Sequence, residues 1–133
     1  TAHYPQRKIL RAAARNNTFA SMFGQIIEPQ IKVASRFNGD RAMCPTRRET
    51  LAPRIGQTVS GEKKTIVNVE GYTQTVTVER CDANAECFKG GTFSGQDNFE
   101  CRTHYVNIGM VVYNKDGSIG IEHFPVAAGC YCS

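Results

Sequence analysis

The sequence predicts a small, disulfide-rich all-β fold preceded by an N-terminal arm. Six cysteines in 133 residues, no tryptophan and only 9% aromatic residues favour covalent links over a large apolar core as the source of stability. Such cysteine usage is typical of secreted proteins, because disulfides persist in oxidising compartments. No apolar run approaches the roughly 20 residues of a membrane span. We therefore expect a secreted, extracellular protein without a membrane span.

Charge and cysteine content change at nearly the same place in the chain. Residues 1–36 contain six lysines and arginines and one acidic residue, a net charge of +5, whereas the whole chain carries +4. All six cysteines lie from Cys44 onward. We therefore predict a boundary between Arg36 and Cys44, with a basic N-terminal arm over residues 1–36 and a cysteine-bearing domain over residues 37–133.

The arm is predicted to be irregular apart from one short helix. Helix-forming residues run from 6 to 15, and Asn16, Asn17 and Gly24 interrupt the pattern that follows. The basic helix face could meet nucleic acid or an anionic membrane, but we expect it to be solvated, with no nucleic-acid partner. The tripeptide Asn16-Asn17-Thr18 is an N-x-S/T sequon, which predicts a glycan on Asn16 in a secreted chain.

Two long β-hairpins are predicted in the domain. Residues 65–69 and 72–80 are β-rich runs around the two-residue turn Glu70-Gly71. Residues 103–113 and 118–126 flank a second turn that ends in Asp116-Gly117. The stretch between the hairpins is rich in Gly, Asn and Asp, and indicates a loop.

The cysteines lie at the roots of these hairpins. Cys81 ends the first hairpin, Cys101 begins the second, and Cys130 and Cys132 follow it. In an extended strand, residues two apart project from one face at about 6 to 7 Å. This favours separate bonds from Cys130 and Cys132 to Cys81 and Cys87, with Cys44 left for Cys101. Six cysteines nevertheless allow many pairings, and the sequence alone does not select one.

Together these features resemble the cystine knot of nerve growth factor and its relatives and, within that neurotrophin-like group, the Spätzle family of arthropod Toll ligands. The resemblance covers residues 44–132 and is carried by the stretches CPTRRETLAPR, IVNVEGYTQTVTVERC, CRTHYV and HFPVAAGCYC. It implies a cystine-knot fold with two long hairpins. It also implies three disulfides, which join Cys44 to Cys101, Cys81 to Cys130 and Cys87 to Cys132.

The resemblance implies a signalling ligand. Proteins of this family are made as precursors, are cut after an arginine by a trypsin-like serine protease, and act as dimers. Their receptors are Toll-type, with leucine-rich-repeat ectodomains, and the output is innate immune or developmental. KVASR followed by FNGDRAMC is similar to the family's cleavage junction, so Arg36-Phe37 is the candidate scissile bond, with Arg15 and Arg41 as rivals. Because a hairpin tip is expected to be exposed, Glu70, Gly71 and Tyr72 are the candidate receptor contacts.

Two positions depart from the family pattern. Gly129 stands where the family has an additional cysteine that bridges two subunits, so we expect a non-covalent homodimer. Lys63 stands near the place of the family's tryptophan before IVN, which removes an aromatic dimer or receptor contact from that position.

Other function classes are less consistent with the sequence. Zinc sites need closely spaced ligands, whereas His3, His104 and His123 are scattered and there is no Cys-x-x-Cys pair, so we expect no metal and no cofactor. An even number of cysteines in a secreted chain favours disulfides over a free thiol nucleophile, so we expect no enzyme activity. A coagulogen-like clotting protein would share the fold and the arginine cut, but has more cysteines. A cationic antimicrobial role predicts membrane disruption by residues 1–36 alone.

Overall fold

The computed structural model describes residues 3–29, 44–82 and 100–132, which are mainly β-strand. Arg36, Phe37 and Cys87 lie outside these ranges, as does the predicted boundary between the arm and the domain. The described elements are α1 (Gln6–Arg15), a 3-10 helix (Asn17–Met22), β1 (Gln25–Ile27), β2 (Thr46–Leu51), β3 (Ile55–Gln57), β4 (Lys63–Ile66), β5 (Gln74–Cys81), β6 (Cys101–Tyr113) and β7 (Ile119–Cys132). The strands are hydrogen-bonded in the order β1-β5-β7-β6-β4-β3, and β2 pairs with β5. The predicted small, disulfide-rich β fold is confirmed.

The described residues form two compact units, each built from several segments of the chain. The turn unit comprises residues 3–27, 50–76 and 107–125, and contains α1 and the turns of both predicted hairpins. The knot unit comprises residues 28–29, 44–49, 77–82, 100–106 and 126–132, and contains the disulfides. The N-terminal helix therefore folds together with strands from the cysteine-bearing part of the sequence.

The helix predicted over residues 6–15 is present as α1. Its alanines, leucine and arginines are strong helix formers, and Asn16, which is extended, ends it. Ile9 and Ala13, one helical turn apart, are only 0% and 3% exposed. They belong to an apolar cluster, called here the helix-side cluster, with Val67, Val69, Val111 and Ile119. Full burial of one isoleucine contributes about 1.5–3 kcal/mol, so α1 is anchored by its apolar face.

Strand β6 is buried on both faces near its end. Successive side chains of a strand point to opposite faces, so Val111 joins the helix-side cluster while Met110 and Val112 lie on the other side. There they pack with Ile66 and Phe124 in a second apolar cluster. The two clusters together form the core of the turn unit.

The second predicted hairpin is present as β6, a tight turn and β7. The Asn114 N–H donates to the Ser118 carbonyl at 2.8 Å, and Gly117 takes a φ of 90°, which favours glycine. The Asp116 carboxylate accepts hydrogen bonds from the Ser118 hydroxyl at 2.6 Å and from the Ser118 N–H at 3.0 Å. These two bonds hold the pKa of Asp116 below its ordinary value. Local hydrogen bonds within a few residues are sufficient to form this turn.

The first predicted hairpin differs from the expectation beyond its tip. Val69 and Tyr72 form two backbone hydrogen bonds of 3.1 and 2.8 Å, and Glu70-Gly71 lies between them as predicted. The two flanking runs do not continue as one ladder: β4 pairs with β3 and β6, whereas β5 pairs with β1, β2 and β7. Beside the bridge, the Asn68 side chain instead makes two hydrogen bonds with the backbone of Gln74.

Two disulfides lie close together in the knot unit. Cys44 is bonded to Cys101 and Cys81 to Cys130, with Cα–Cα distances of 5.8 and 4.9 Å, and both pairs are those that the resemblance implies. The sulfur atoms of Cys44, Cys101 and Cys130 lie within 4.8 Å of one another. Cys132 is also disulfide-bonded, while its expected partner Cys87 lies outside the described residues. Each bridge contributes about 2–4 kcal/mol to stability.

Candidate functional site

The candidate contact surface is the turn at the tip of the first hairpin. Glu70 and Gly71 are exposed there, and Gly71 has a φ of 85°. Apart from its two chain neighbours, no described residue has an atom within 4 Å of the position that a Cβ on Gly71 would occupy, so a larger residue would be strained by its backbone alone. The turn therefore has open space around it and depends on glycine for its shape.

Tyr72 has a different position from the other two candidate residues, because its side chain is partly buried. Its ring packs edge-on against Phe23, with centroids 5.4 Å apart and planes at 87°. Such aromatic pairs contribute about 0.5–1.5 kcal/mol beyond the area they bury. Tyr72 also packs against the helix-side cluster. Since Phe23 belongs to the predicted arm, the arm lies in direct contact with the candidate site.

Two buried side-chain amides hold the turn from beneath. Asn68 is 6% exposed and Gln74 is 1% exposed. Asn68 Nδ2 donates to the Gln74 carbonyl at 2.8 Å, and Asn68 Oδ1 accepts from the Gln74 N–H at 2.9 Å. Gln74 Nε2 donates to the carbonyls of Val67 and Val111 at 2.8 and 2.9 Å, and its Oε1 accepts from the Val111 N–H at 2.8 Å. Buried amides need such partners, and these bonds fix both ends of the turn segment.

Tyr4 ties the N-terminal segment to the same part of the fold. Its hydroxyl donates to the Ile66 carbonyl at 2.6 Å and accepts from the Asn68 N–H at 2.8 Å. The Arg54 guanidinium lies over the Tyr4 ring, 4.6 Å from its centroid. Burial raises the pKa of Tyr4, while the Asn68 N–H and the Arg54 charge act in the opposite direction. Tyr4 thus stays a neutral hydrogen-bonding group at physiological pH.

A groove of about 490 Å³ runs beside the turn. Gln6, Arg7 and Leu10 of α1 line it together with Arg54, Val69 and Glu70. Two guanidinium groups and one carboxylate give the groove a mixed charge. Such a lining suits a polar protein surface better than an apolar small molecule.

A comparison with known proteins identifies the family. The family model described as Spaetzle matches residues 41–133. The chain belongs to the Spaetzle family. Protein spaetzle of Drosophila melanogaster is 27% identical over 135 residues, an alignment that covers 98% of this chain and 41% of that relative. The chain therefore spans about two fifths of the length of the Drosophila protein.

Only part of the candidate site lies inside the range that the Spaetzle family model matches. The turn and the two amides, Asn68 and Gln74, lie inside the matched range, whereas Tyr4, α1 and Phe23 precede it. Sequence reasoning used IVNVEGYTQTVTVERC to recognise the family but missed the structural role of its Asn and Gln. The sequence does contain a signal for this structural role. Two uncharged amides interrupt runs of apolar residues, and such amides are buried only with hydrogen-bond partners.

The remaining predicted residues lie elsewhere. Asn16 is half-buried at the end of α1, and its Oδ1 accepts a hydrogen bond from the Thr18 N–H at 2.9 Å. Neither observation tests the glycan on Asn16, which stays a prediction. Gly129 is buried with a φ of 146°, a conformation that disfavours a cysteine at this position. His104 packs edge-on against Tyr131, with ring centroids 6.0 Å apart. None of the described helices is long and apolar enough to cross a membrane.

Proposed function

We propose that this Spaetzle-family chain is a secreted ligand of a Toll-type receptor and acts in innate immune or developmental signalling. The observation that carries the proposal is the Spaetzle match over residues 41–133, a range that includes the clustered disulfides. Its partner is the receptor's leucine-rich-repeat ectodomain, and its mode of action is recognition. Every described cysteine is in a disulfide, which leaves no thiolate among them to act as a nucleophile.

The receptor contact is the exposed turn. Glu70 and Gly71 face solvent, and the hydrogen bonds of Asn68 and Gln74 hold the turn in one conformation. A turn held in this way loses little conformational entropy when a receptor binds it. Tyr72 supports the turn through its packing and offers only part of its ring to a partner.

Activation follows from removal of the arm by a trypsin-like serine protease that cuts between Arg36 and Phe37. Ile9 and Ala13 pack against the helix-side cluster, and Phe23 packs against Tyr72. Loss of residues 1–36 would therefore expose apolar side chains directly beside the turn. Exposed apolar patches of this kind favour association, so two cut chains form a non-covalent homodimer that bridges two receptor chains.

Trypsin digestion followed by binding measurements tests this proposal. We expect one cut after Arg36, a protected fragment 37–133 with three disulfides by non-reducing mass spectrometry, and a dimer mass by light scattering. Surface plasmon resonance should then show at least about tenfold tighter binding of the cut chain to a Toll-type ectodomain. Arg36→Gln should block both changes, whereas Arg41→Gln serves as the matched control.

Other outcomes distinguish the alternatives. A cut that Arg15→Gln or Arg41→Gln blocks would move the activation site to that arginine. Scattered cuts through residues 44–132, or a free thiol, would contradict the ligand proposal, and growth into large polymers would favour a clotting protein. Vesicle leakage caused by a peptide of residues 1–36 would favour the antimicrobial role. The buried apolar face of α1 argues against that role in the uncut chain.

A further inference from the structure

The outer face of α1 carries a row of positive charges. Arg7, Arg11 and Arg15 recur at every fourth residue, and Lys8 lies beside them, and all four side chains are exposed. With a rise of 1.5 Å per residue, the three arginines span about 12 Å along the helix. The helix contains no acidic residue. Its opposite face holds Ile9 and Ala13, which are buried, so the charged face points to solvent.

Within the part of the chain that the structure describes, no acidic side chain pairs with these four residues. The ion pairs among the described residues join Arg48 to Glu28 and Arg102 to Glu100, and neither pair involves α1. Like charges four residues apart on a helix repel each other. Arg7 and Lys8 also lie in the first turn, where the helix dipole disfavours cations. The row thus opposes helix formation, and an external anion would relieve that repulsion.

The position of the row is fixed by the surrounding structure. Ile9 and Ala13 anchor the helix in the core, and the Tyr4 hydroxyl holds the preceding segment through two hydrogen bonds. Arg54 adds a further guanidinium beside Arg7 in the groove, which also contains the carboxylate of Glu70. Because this carboxylate would repel an anion inside the groove, an anion would bind along the exposed outer face of the helix.

We propose that the outer face of α1 binds a sulfated polysaccharide. Guanidinium groups form paired hydrogen bonds with the oxygen atoms of sulfate, and a row of them matches a polymer with repeated anionic groups. The disulfides indicate an extracellular setting, where such polysaccharides are found. A membrane is disfavoured because the apolar face that would insert into it is buried. A single-stranded nucleic acid is disfavoured because the helix has no aromatic side chain for base stacking.

Calorimetric titration of heparin oligosaccharides into the uncut chain tests the proposal. Arg11→Gln/Arg15→Gln should weaken binding by about tenfold or more, since two charge-assisted contacts are lost. Arg7→Gln/Lys8→Gln should do the same while favouring the helix, because it removes cations from the first turn. The control is Arg47→Gln/Arg80→Gln, which removes two exposed arginines of β2 and β5 and should change affinity less than twofold. Circular dichroism checks that each variant keeps its helix.

Three results would overturn the proposal. One is equal weakening by the control pair, which would indicate a response to net charge alone. Another is undiminished binding of chemically desulfated heparin. The third is tighter binding to phosphatidylserine vesicles or to DNA than to heparin. The titration needs neither cleavage nor receptor, so it succeeds or fails independently of the proposed receptor role.

Discussion

Asn68 and Gln74 exchange two hydrogen bonds across the base of the candidate turn, between the side chain of the first and the backbone of the second. The distances are 2.8 Å from Asn68 Nδ2 to the Gln74 carbonyl and 2.9 Å from the Gln74 N–H to Asn68 Oδ1. The Gln74 side chain in turn reaches Val67 and Val111. One buried amide therefore connects the turn to the segment before it and to β6.

Gln74→Leu should destabilise the protein strongly. The substitution keeps a similar volume but leaves the Val67 carbonyl and the Val111 N–H without the partners that Gln74 supplies. Each unsatisfied buried group costs about 1–3 kcal/mol, so we expect a loss of about 2–5 kcal/mol in the free energy of unfolding. Equilibrium urea unfolding under oxidising conditions measures it. Gln25→Leu, at an exposed glutamine, should change stability by less than about 0.5 kcal/mol, and an equally small change at Gln74 would contradict the role assigned to its amide.

This amide arrangement also explains which parts of the fold the sequence predicts. The second hairpin is predictable because Asn114, Asp116 and Ser118 form their turn through hydrogen bonds within five residues. The first is predictable only at Glu70-Gly71, where the turn is equally local. Its flanking runs find partners in β1, β2, β3, β6 and β7, and all of these except β3 lie far away in the sequence. A β-rich pattern indicates a strand but does not identify its neighbour.

The candidate site likewise combines local features, which the sequence predicts, with long-range contacts, which it does not predict. The exposure of Glu70 and Gly71 follows from a local turn, so the sequence predicts it. The partial burial of Tyr72 depends on Phe23, almost fifty residues earlier, and the sequence pattern contains no sign of that contact. The sequence pattern does not predict the anchoring of α1 for a similar reason, because the partners of Ile9 lie in β6, in β7 and near β4.

Tyr4→Phe should loosen the N-terminal segment. The hydroxyl serves the Ile66 carbonyl and the Asn68 N–H at once, and phenylalanine can serve neither. We expect a loss of about 1–3 kcal/mol in unfolding free energy. Hydrogen exchange should also show faster exchange of the Asn68 amide and of α1. Tyr105→Phe, at an exposed tyrosine, is the control, and faster exchange in both variants alike would contradict a specific role for Tyr4.

Stability should fall at alkaline pH through Tyr4. Its folded-state pKa is raised above the ordinary 10.0, chiefly by burial. Between these two pKa values the folded chain keeps a proton that the unfolded chain has lost. The contribution of the Tyr4 hydroxyl to folding stability is therefore complete below pH 10 and is lost as pH rises through the folded-state pKa. Urea unfolding from about pH 8 to 11 should show the stability advantage over Tyr4→Phe shrinking above pH 10. A constant difference across that range would contradict the shift.

Ile9→Ala should partly activate the uncut chain if the arm restrains the ligand. The substitution removes the largest apolar contact of α1 with the helix-side cluster, and such a change costs about 2–5 kcal/mol in a well-packed core. A weaker helix contact raises the fraction of chains with an uncovered cluster, and receptor affinity rises with that fraction. We expect at least about tenfold tighter binding to a Toll-type ectodomain by surface plasmon resonance. Ile26→Ala, in the same arm but with a side chain that is 61% exposed, should leave affinity unchanged. Hydrogen exchange would show whether the helix is loosened in Ile9→Ala. If it is loosened and the receptor affinity is unchanged, the arm does not control receptor binding.

Charge reversal at Glu70 tests the receptor contact better than truncation of Tyr72. Tyr72→Ala would remove the contact with Phe23 and leave a cavity beside the helix-side cluster, so lost binding could reflect lost structure. Glu70 is exposed at the tip and takes no part in those contacts. Glu70→Arg should therefore keep the urea midpoint and weaken binding of the cut chain to the ectodomain by about tenfold or more, because a reversed charge is costly in an interface. Glu62→Arg makes the same change at another exposed position of the turn unit and should bind normally. Equal binding by both variants would place the receptor contact elsewhere on the ligand while leaving the family assignment intact.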